Sequence, residues 1–254
     1  MSLWPLERVL RALEDARVRH LVVGGQAAVI YGVSQFTQDA DIWVEPTARN
    51  VAALRRALKT LRARPRFLPP LELRYLRRGH GVHFTVPHGH EIYYLDVMGK
   101  PPRTGSFAAA WRAATVVQWR GISLRVADIQ RLVQTKKTNR DQDYVAIQRL
   151  AELVFRQAKT DLRLRTSAME WLLKELRTPQ LLKTAALRWK GGKALAARTG
   201  RPAAVLAAGN ASASAIQAAL DQEKARYQQA NLAYWQPFLR ELRELRRHKG
   251  TAGN

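Results

Sequence analysis

The chain has 254 residues, of which 46% are apolar, enough for one large globular domain or two small ones. It contains 43 Lys and Arg against 20 Asp and Glu, and the resulting net charge of +23 is shared by residues 1–150 and 151–254. This balance favours polyanionic partners, namely nucleic acid, nucleoside triphosphates or an acidic protein, although an Arg-rich proteome or a need for solubility would also explain it. Cysteine is absent, which excludes disulfides and thiolate metal sites.

The first half of the chain mixes helical and strand patterns. Helices are predicted over about residues 5–16, 26–31 and 48–62, the last with Thr47 as its N-cap, and strands over 20–23, 40–44, 82–86, 91–97 and 121–126. The strands at 82–86 and 91–97 flank a short Gly-containing turn, which predicts a hairpin. Residues 65–70 contain three prolines and are predicted to form a loop.

After residue 128 the pattern is helical almost to the end, with Gly and Pro clusters that divide it into several helices. We therefore expect an α+β protein: an α/β-type head with a short mixed sheet flanked by helices, then a helical C-terminal region. The predicted domains are 1–127 and a basic helical domain over 128–254. The N-terminal region is too charged for a signal peptide, and no apolar stretch approaches the ~20 residues of a membrane span, so we predict a cytoplasmic protein without membrane contact.

Two glycines and two aspartates carry the clearest chemical signal. A predicted strand ends at Gly24 and Gly25 where a helix begins, and backbone N–H groups at such a turn can hold phosphate oxygens. Asp39 follows Gly25 by fourteen residues and Asp41 comes two residues later, so that both carboxylates point to one face of a strand. Because neighbouring carboxylates repel each other, a divalent cation is indicated, and oxygen ligands suit Mg²⁺. The alternative is an ordinary turn followed by a solvated acidic strand edge.

Asp96 interrupts the apolar run of residues 92–98. A charge in such a run is costly unless it is paired or coordinated. We therefore predict that Asp96 is a third metal ligand and helps to deprotonate an attacking hydroxyl. The alternative is a buried aspartate that caps a turn at Gly99.

These elements, in their order and spacing, resemble the signature of the DNA-polymerase-β-like nucleotidyltransferase superfamily, and the residues that carry it are Gly24, Gly25, Thr37, Asp39, Asp41 and Asp96. The superfamily usually has Ser at the position of Gly25. Residues 128–143 are similar to the helix pair that follows the catalytic domain in AbiEii-like and other minimal bacterial nucleotidyltransferases. The resemblance covers about residues 18–150 and implies a nucleotidyltransferase fold.

The resemblance implies transfer of a nucleoside monophosphate from an NTP to a hydroxyl group, with release of pyrophosphate. Two Mg²⁺ ions, or Mn²⁺ in their place, would be held by the carboxylates Asp39, Asp41 and Asp96. NTP binding would involve Gly24, Gly25, Thr37, Lys136, Lys137 and Arg140. For the three cations the alternative is a solvated helix face next to Asp141 and Asp143, with Asp143 as the ion-pair partner of Arg140.

The basic charge favours RNA as the acceptor, for example the 3′ end of a tRNA, as in a toxin of a toxin–antitoxin system with an antitoxin or another protein as partner. Two alternatives stay open: attachment of AMP or UMP to a protein, and an inactive nucleotidyltransferase fold that serves as an RNA-binding module. Four histidines fall within residues 80–90, but their spacing matches no standard zinc site. For these histidines, contact with a nucleobase near the active site is favoured somewhat over a metal site.

Overall fold

The structure is a computed structural model that describes residues 5–34, 37 and 39–251, with side chains described up to residue 247. The chain divides into two compact units. The first contains the chain up to Thr135 and the segment from Trp235 onward, and the second is Lys136–Tyr234. The predicted domain boundary after residue 127 stays a prediction; the compact units differ from it because the helix Ile129–Thr135 and the end of the last helix belong to the first unit.

The first unit contains a seven-stranded mixed sheet in the order β3-β4-β5-β2-β1-β7-β6. Its strands are β1 (His20–Val22), β2 (Asp39–Val44), β3 (Arg64–Pro65), β4 (Gly81–His88), β5 (Glu91–Met98), β6 (Thr115–Trp119) and β7 (Ile122–Val126). Two of the pairings, β2 with β5 and β1 with β7, are parallel, and the others are antiparallel. The predicted hairpin is confirmed as β4 and β5.

Among the described residues before position 136, six helices complete the first unit: α1 (Pro5–Asp15), α2 (Gly24–Ile30), α3 (Ala48–Thr60), α4 (Leu73–Arg78), α5 (Phe107–Ala113) and α6 (Ile129–Thr135). Thr47 caps α3 as predicted, because its hydroxyl accepts a hydrogen bond from the Asn50 N–H at 3.3 Å. The apolar faces of α1 and α3 pack on one face of the sheet, where Leu13, Leu54 and Leu95 are fully buried.

The opposite face of the sheet is covered only in part. Helix α5 lies over Trp43, whose ring meets Phe107 edge to face with centroids 5.7 Å apart. The indole N–H of Trp43 donates a hydrogen bond to the Gly99 carbonyl at 3.0 Å, so this buried polar group is satisfied. Farther along the same face, the side chains of β2, β4 and β5 are half-buried rather than covered.

The second unit is helical, as predicted for the C-terminal region. It consists of α7 (Asp141–Thr160), α8 (Leu162–Glu175), α9 (Pro179–Arg188), α10 (Gly192–Arg198), α11 (Pro202–Ala208) and the first part of α12 (Ala213–Thr251). Leu172, Leu182 and Ile216 lie fully buried in its core. A mixed α+β fold with a helical C-terminal region is therefore confirmed. Among the helices of the described residues, none is both long and apolar enough to cross a bilayer.

Candidate active site

The three predicted carboxylates lie on one face of two paired strands. Asp39 and Asp41 are alternate residues of β2, so their side chains point to the same side of the sheet. In the parallel pairing of β2 with β5, Asp41 lies opposite Asp96 and Asp39 lies opposite Tyr94. Strands in a sheet are ~4.8 Å apart, so the register brings Asp41 and Asp96 next to each other. All three aspartates are half-buried.

The glycine turn between β1 and α2 packs directly against Asp41. Gly24 has a φ of +61°, and a Cβ at this position would lie 1.9 Å from Asp41 Oδ2. The Gly25 N–H donates a hydrogen bond to the same oxygen at 3.0 Å. The structure therefore gives the two glycines a role that the sequence did not predict, which is to hold the Asp41 carboxylate against the backbone.

Thr37 lies on the other side of this turn. A Cβ on Gly25 would approach Thr37 Oγ1 to 2.7 Å, so the absence of a side chain at Gly25 allows the close contact. The Thr37 hydroxyl also accepts a weak hydrogen bond from the Asp39 N–H at 3.4 Å. Thr37 is thus brought together with the glycines and the aspartates, as the predicted motif requires.

His83 is a member of the site that was not predicted as a partner of the carboxylates. It lies opposite Asp96 in the antiparallel pairing of β4 with β5, and its Nδ1 is 2.7 Å from Asp96 Oδ1. Side-chain alternation along the predicted hairpin could have placed His83 and Asp96 on one face of the sheet. It could not show that they lie opposite each other, because the turn sets the register of the two strands. His80, by contrast, is buried and hydrogen-bonded to Glu241 at 2.8 Å, so these two histidines do not form a common site.

The half-buried Tyr93 lies close to the aspartates. The Gln26 side-chain N–H donates a hydrogen bond to the Tyr93 hydroxyl at 3.1 Å. Burial raises the pKa of Tyr93 to about 12, and the negative charges of Asp39 and Asp41 add to this effect, while the hydrogen bond from Gln26 opposes it. Tyr93 is therefore neutral at physiological pH and keeps its hydroxyl proton.

The donor set of the site suits a hard divalent cation. Asp39, Asp41 and Asp96 offer only oxygen atoms and share one face, which is the ligand chemistry that Mg²⁺ prefers. In this conformation one carboxylate oxygen of Asp41 accepts a hydrogen bond from the Gly25 N–H, and one carboxylate oxygen of Asp96 is hydrogen-bonded to His83. Within the described part of the chain, no three His, Asp or Glu side chains already converge as a metal site. Binding of two ions stays a prediction.

The predicted triphosphate-binding cations all belong to the second unit, where each pairs with a carboxylate. Asp143 is buried and lies 2.9 Å from both Lys136 Nζ and Arg140 Nε, which confirms the predicted ion pair with Arg140. Lys137 is only 3% exposed and its Nζ is 2.7 Å from Glu175, so it is not part of a solvated helix face. Assignment of the three cations to the triphosphate stays a prediction.

Comparison with known proteins gives distant structural likenesses only. No protein-family model matches the chain, and no curated protein sequence matches it. The structure is similar to an antigenic nucleotidyltransferase-like protein from Paracoccidioides brasiliensis, with a TM-score of 0.40 and 13% identity over 69% of this chain and 96% of that one. It is also similar to JHP933 from Helicobacter pylori, with a TM-score of 0.41 and 14% identity over 92% of this chain and 98% of that one. At these distances neither likeness assigns an activity or a site residue to this chain.

Substitution of Gly24 by Ala tests the contact between the turn and Asp41. Gly89 provides a matched control, because it has the same φ of +61° and a Cβ there would meet nothing within 4 Å. Both variants incur the cost of a left-handed alanine, but only Gly24→Ala adds a collision. We expect Gly24→Ala to lose about 2 kcal/mol more unfolding free energy than Gly89→Ala in urea titrations. Equal losses would contradict the contact.

Substitution of Asp143 by Asn tests the buried ion pairs. Burial alone would raise the pKa of Asp143, but Lys136, Thr138 and Arg140 outweigh it and hold the pKa below its ordinary value. The carboxylate therefore stabilises the fold above its unfolded-state pKa of about 3.9, and this stabilisation is lost as the pH falls through the lower folded pKa. We expect Asp143→Asn to cost about 2 kcal/mol at pH 7 and much less at pH 2.

Asp141 is the control for this measurement, because it lies in the same helical turn and its side chain is 79% exposed. Asp141→Asn should change the urea midpoint little at either pH. A cost for Asp143→Asn that does not depend on pH would show that the carboxylate's charge is not what stabilises this turn.

Proposed function

We propose that the protein is a Mg²⁺-dependent nucleotidyltransferase that moves a nucleoside monophosphate from an NTP to a hydroxyl group and releases pyrophosphate. The observation that carries the proposal is the register of β2 and β5, which aligns Asp41 with Asp96 on one face of the sheet. The glycine turn against Asp41 and the half-buried state of all three aspartates support it.

The proposal gives each residue a separate task. Asp39, Asp41 and Asp96 hold the metal ions, which when bound neutralise the charge of the phosphates. The glycine turn and Thr37 receive the triphosphate on the β1 side of Asp41. The acceptor oxygen bonds to the α-phosphorus, the bond to the bridging oxygen breaks, and pyrophosphate leaves with its electron pair. Asp96 accepts the proton of the acceptor hydroxyl, and His83 orients its carboxylate.

The acceptor in this proposal is RNA. The net charge of +23 supports it, because a strongly basic protein attracts a polyanion such as RNA. A small cationic acceptor would instead be repelled.

Transfer of label from each α-³²P-labelled NTP to total RNA in the presence of Mg²⁺ tests the proposal. We expect RNA labelling with the wild-type protein, no labelling in EDTA, and a loss of at least about a hundredfold in Asp41→Asn. Asp15→Asn is the matched control, since it removes the same group from the exposed end of α1 and should leave the rate unchanged.

Three results would contradict the proposal or part of it. Absence of label from all four NTPs would rule out the transfer. Label on protein rather than RNA would keep the chemistry and change the acceptor. Equal rates of transfer for Asp41→Asn and the wild-type protein would show that the carboxylates take no part in the reaction.

A further inference from the structure

An arginine and three aromatic rings lie beside the carboxylates. The guanidinium carbon of Arg66 is 4.2 Å from the ring centroid of Tyr94 and 4.7 Å from that of Phe67. Phe67 in turn meets His83 edge to face, with centroids 5.9 Å apart. We call Arg66, Phe67, His83 and Tyr94 the Arg66 platform. It follows directly on the edge strand β3, at the β4 side of the site.

Strand register connects this platform to the candidate active site. Tyr94 lies opposite Asp39, and His83 lies opposite Asp96. The hydrogen bond of 2.7 Å between His83 and Asp96 makes the connection continuous from the carboxylate to the aromatic rings. The platform therefore begins where the proposed acceptor oxygen would lie.

The platform has the groups that recognise a nucleotide chain. Within the described part of the structure, no carboxylate pairs with Arg66, so its N–H groups can donate to phosphate oxygens while the guanidinium plane is held by the two rings. Phe67 is 51% exposed, a large fraction for an aromatic residue, and an exposed ring stacks with any base. The backbone N–H of Arg66 bonds to the His83 carbonyl at 2.8 Å, which fixes the segment to β4.

The local charge indicates which partner fits this surface. Arg62, Arg64 and Arg66 are all exposed within six residues of chain that end at Phe67. An apolar protein-docking patch would show few charges at its centre. Alternating arginines next to an exposed ring are instead the pattern of a single-stranded nucleic acid site, in which cations follow the backbone and rings stack with bases.

The order of the strands indicates which substrate approaches from this side. In-line displacement places the attacking and leaving oxygens on opposite sides of the phosphorus atom. The sheet order β4-β5-β2-β1 places the Arg66 platform and the glycine turn on opposite sides of Asp41. If the triphosphate occupies the glycine side, the leaving pyrophosphate departs there and the acceptor enters over β4 and β5.

We propose that the Arg66 platform binds the 3′-terminal nucleotides of a single-stranded RNA acceptor, with the last base stacked on Phe67 and a backbone phosphate bound by Arg66. This assignment rests on the proposed function, because it takes the RNA to be the acceptor and not merely a ligand. It deepens that function by requiring an unpaired 3′ end. Recognition by stacking and phosphate contact tolerates several sequences.

The test measures RNA binding and transfer separately. Fluorescence anisotropy with a 5′-labelled single-stranded RNA oligonucleotide in EDTA gives Kd, and label transfer in Mg²⁺ gives KM for RNA and for NTP. We expect Phe67→Ala and Arg66→Ala to raise Kd and KM for RNA by about five- to a hundredfold, with KM for NTP within about twofold of wild type. Phe67→Tyr keeps the ring and should retain binding, whereas Arg66→Lys keeps only the charge and should not restore it fully.

Arg125→Ala is the matched control, because Arg125 also stacks on an aromatic ring, with its guanidinium carbon 4.5 Å from the centroid of Trp111, but lies on β7. Equal weakening by Arg125→Ala and Arg66→Ala would overturn the platform and leave only bulk charge. So would an unchanged Kd in Phe67→Ala. If the wild-type protein transfers no label but the platform variants bind RNA more weakly than it does, the result would support the platform and contradict the transfer reaction.

Discussion

The parallel pairing of β2 with β5 is the constraint on which the candidate site depends, because only this register brings Asp41 next to Asp96. Side chains alternate along a strand, so a shift of one residue would turn Asp96 into the core and Leu95 or Val97 outward. Both of these apolar residues are fully buried, and the core therefore fixes the register. Repulsion between the carboxylates acts against this arrangement, and the Gly25 N–H and His83 offset part of it.

Much of this arrangement could be predicted from local sequence. Hydrophobic periodicity predicted α1, α3 and the β4–β5 hairpin, and Thr47 predicted the start of α3. The spacing of Asp39 and Asp41 predicted a shared face because alternation along a strand is a local property. The short elements β3, β6, α4 and α5 were not predicted. Elements of similar length, β1 and α2, could be predicted because the glycine turn at Gly24 and Gly25 marks the boundary between them.

The contacts that needed tertiary structure were the ones that the sequence could not predict. The close approach of Gly24 to Asp41 and the bond between His83 and Asp96 depend on strand order. The burial of Lys137 could not be predicted either. A Lys between polar neighbours suggests exposure, whereas the helical unit buries it against Glu175. That unit also buries Glu223 between two arginines, Arg177 and Arg201 at 2.8 and 2.6 Å. Such pairs add little net stability, because the cost of removing the charges from water offsets much of their attraction.

Metal binding tests the central claim most directly, because it does not depend on which acceptor the protein uses. Electron paramagnetic resonance would count Mn²⁺ ions bound in the presence of an α,β-methylene NTP analogue. The account predicts two bound ions in the wild-type protein and in Asp15→Asn, and a loss of at least one ion in Asp41→Asn and in Asp96→Asn. The same number of bound ions in all four proteins would contradict the claim that the paired faces of β2 and β5 form the metal site.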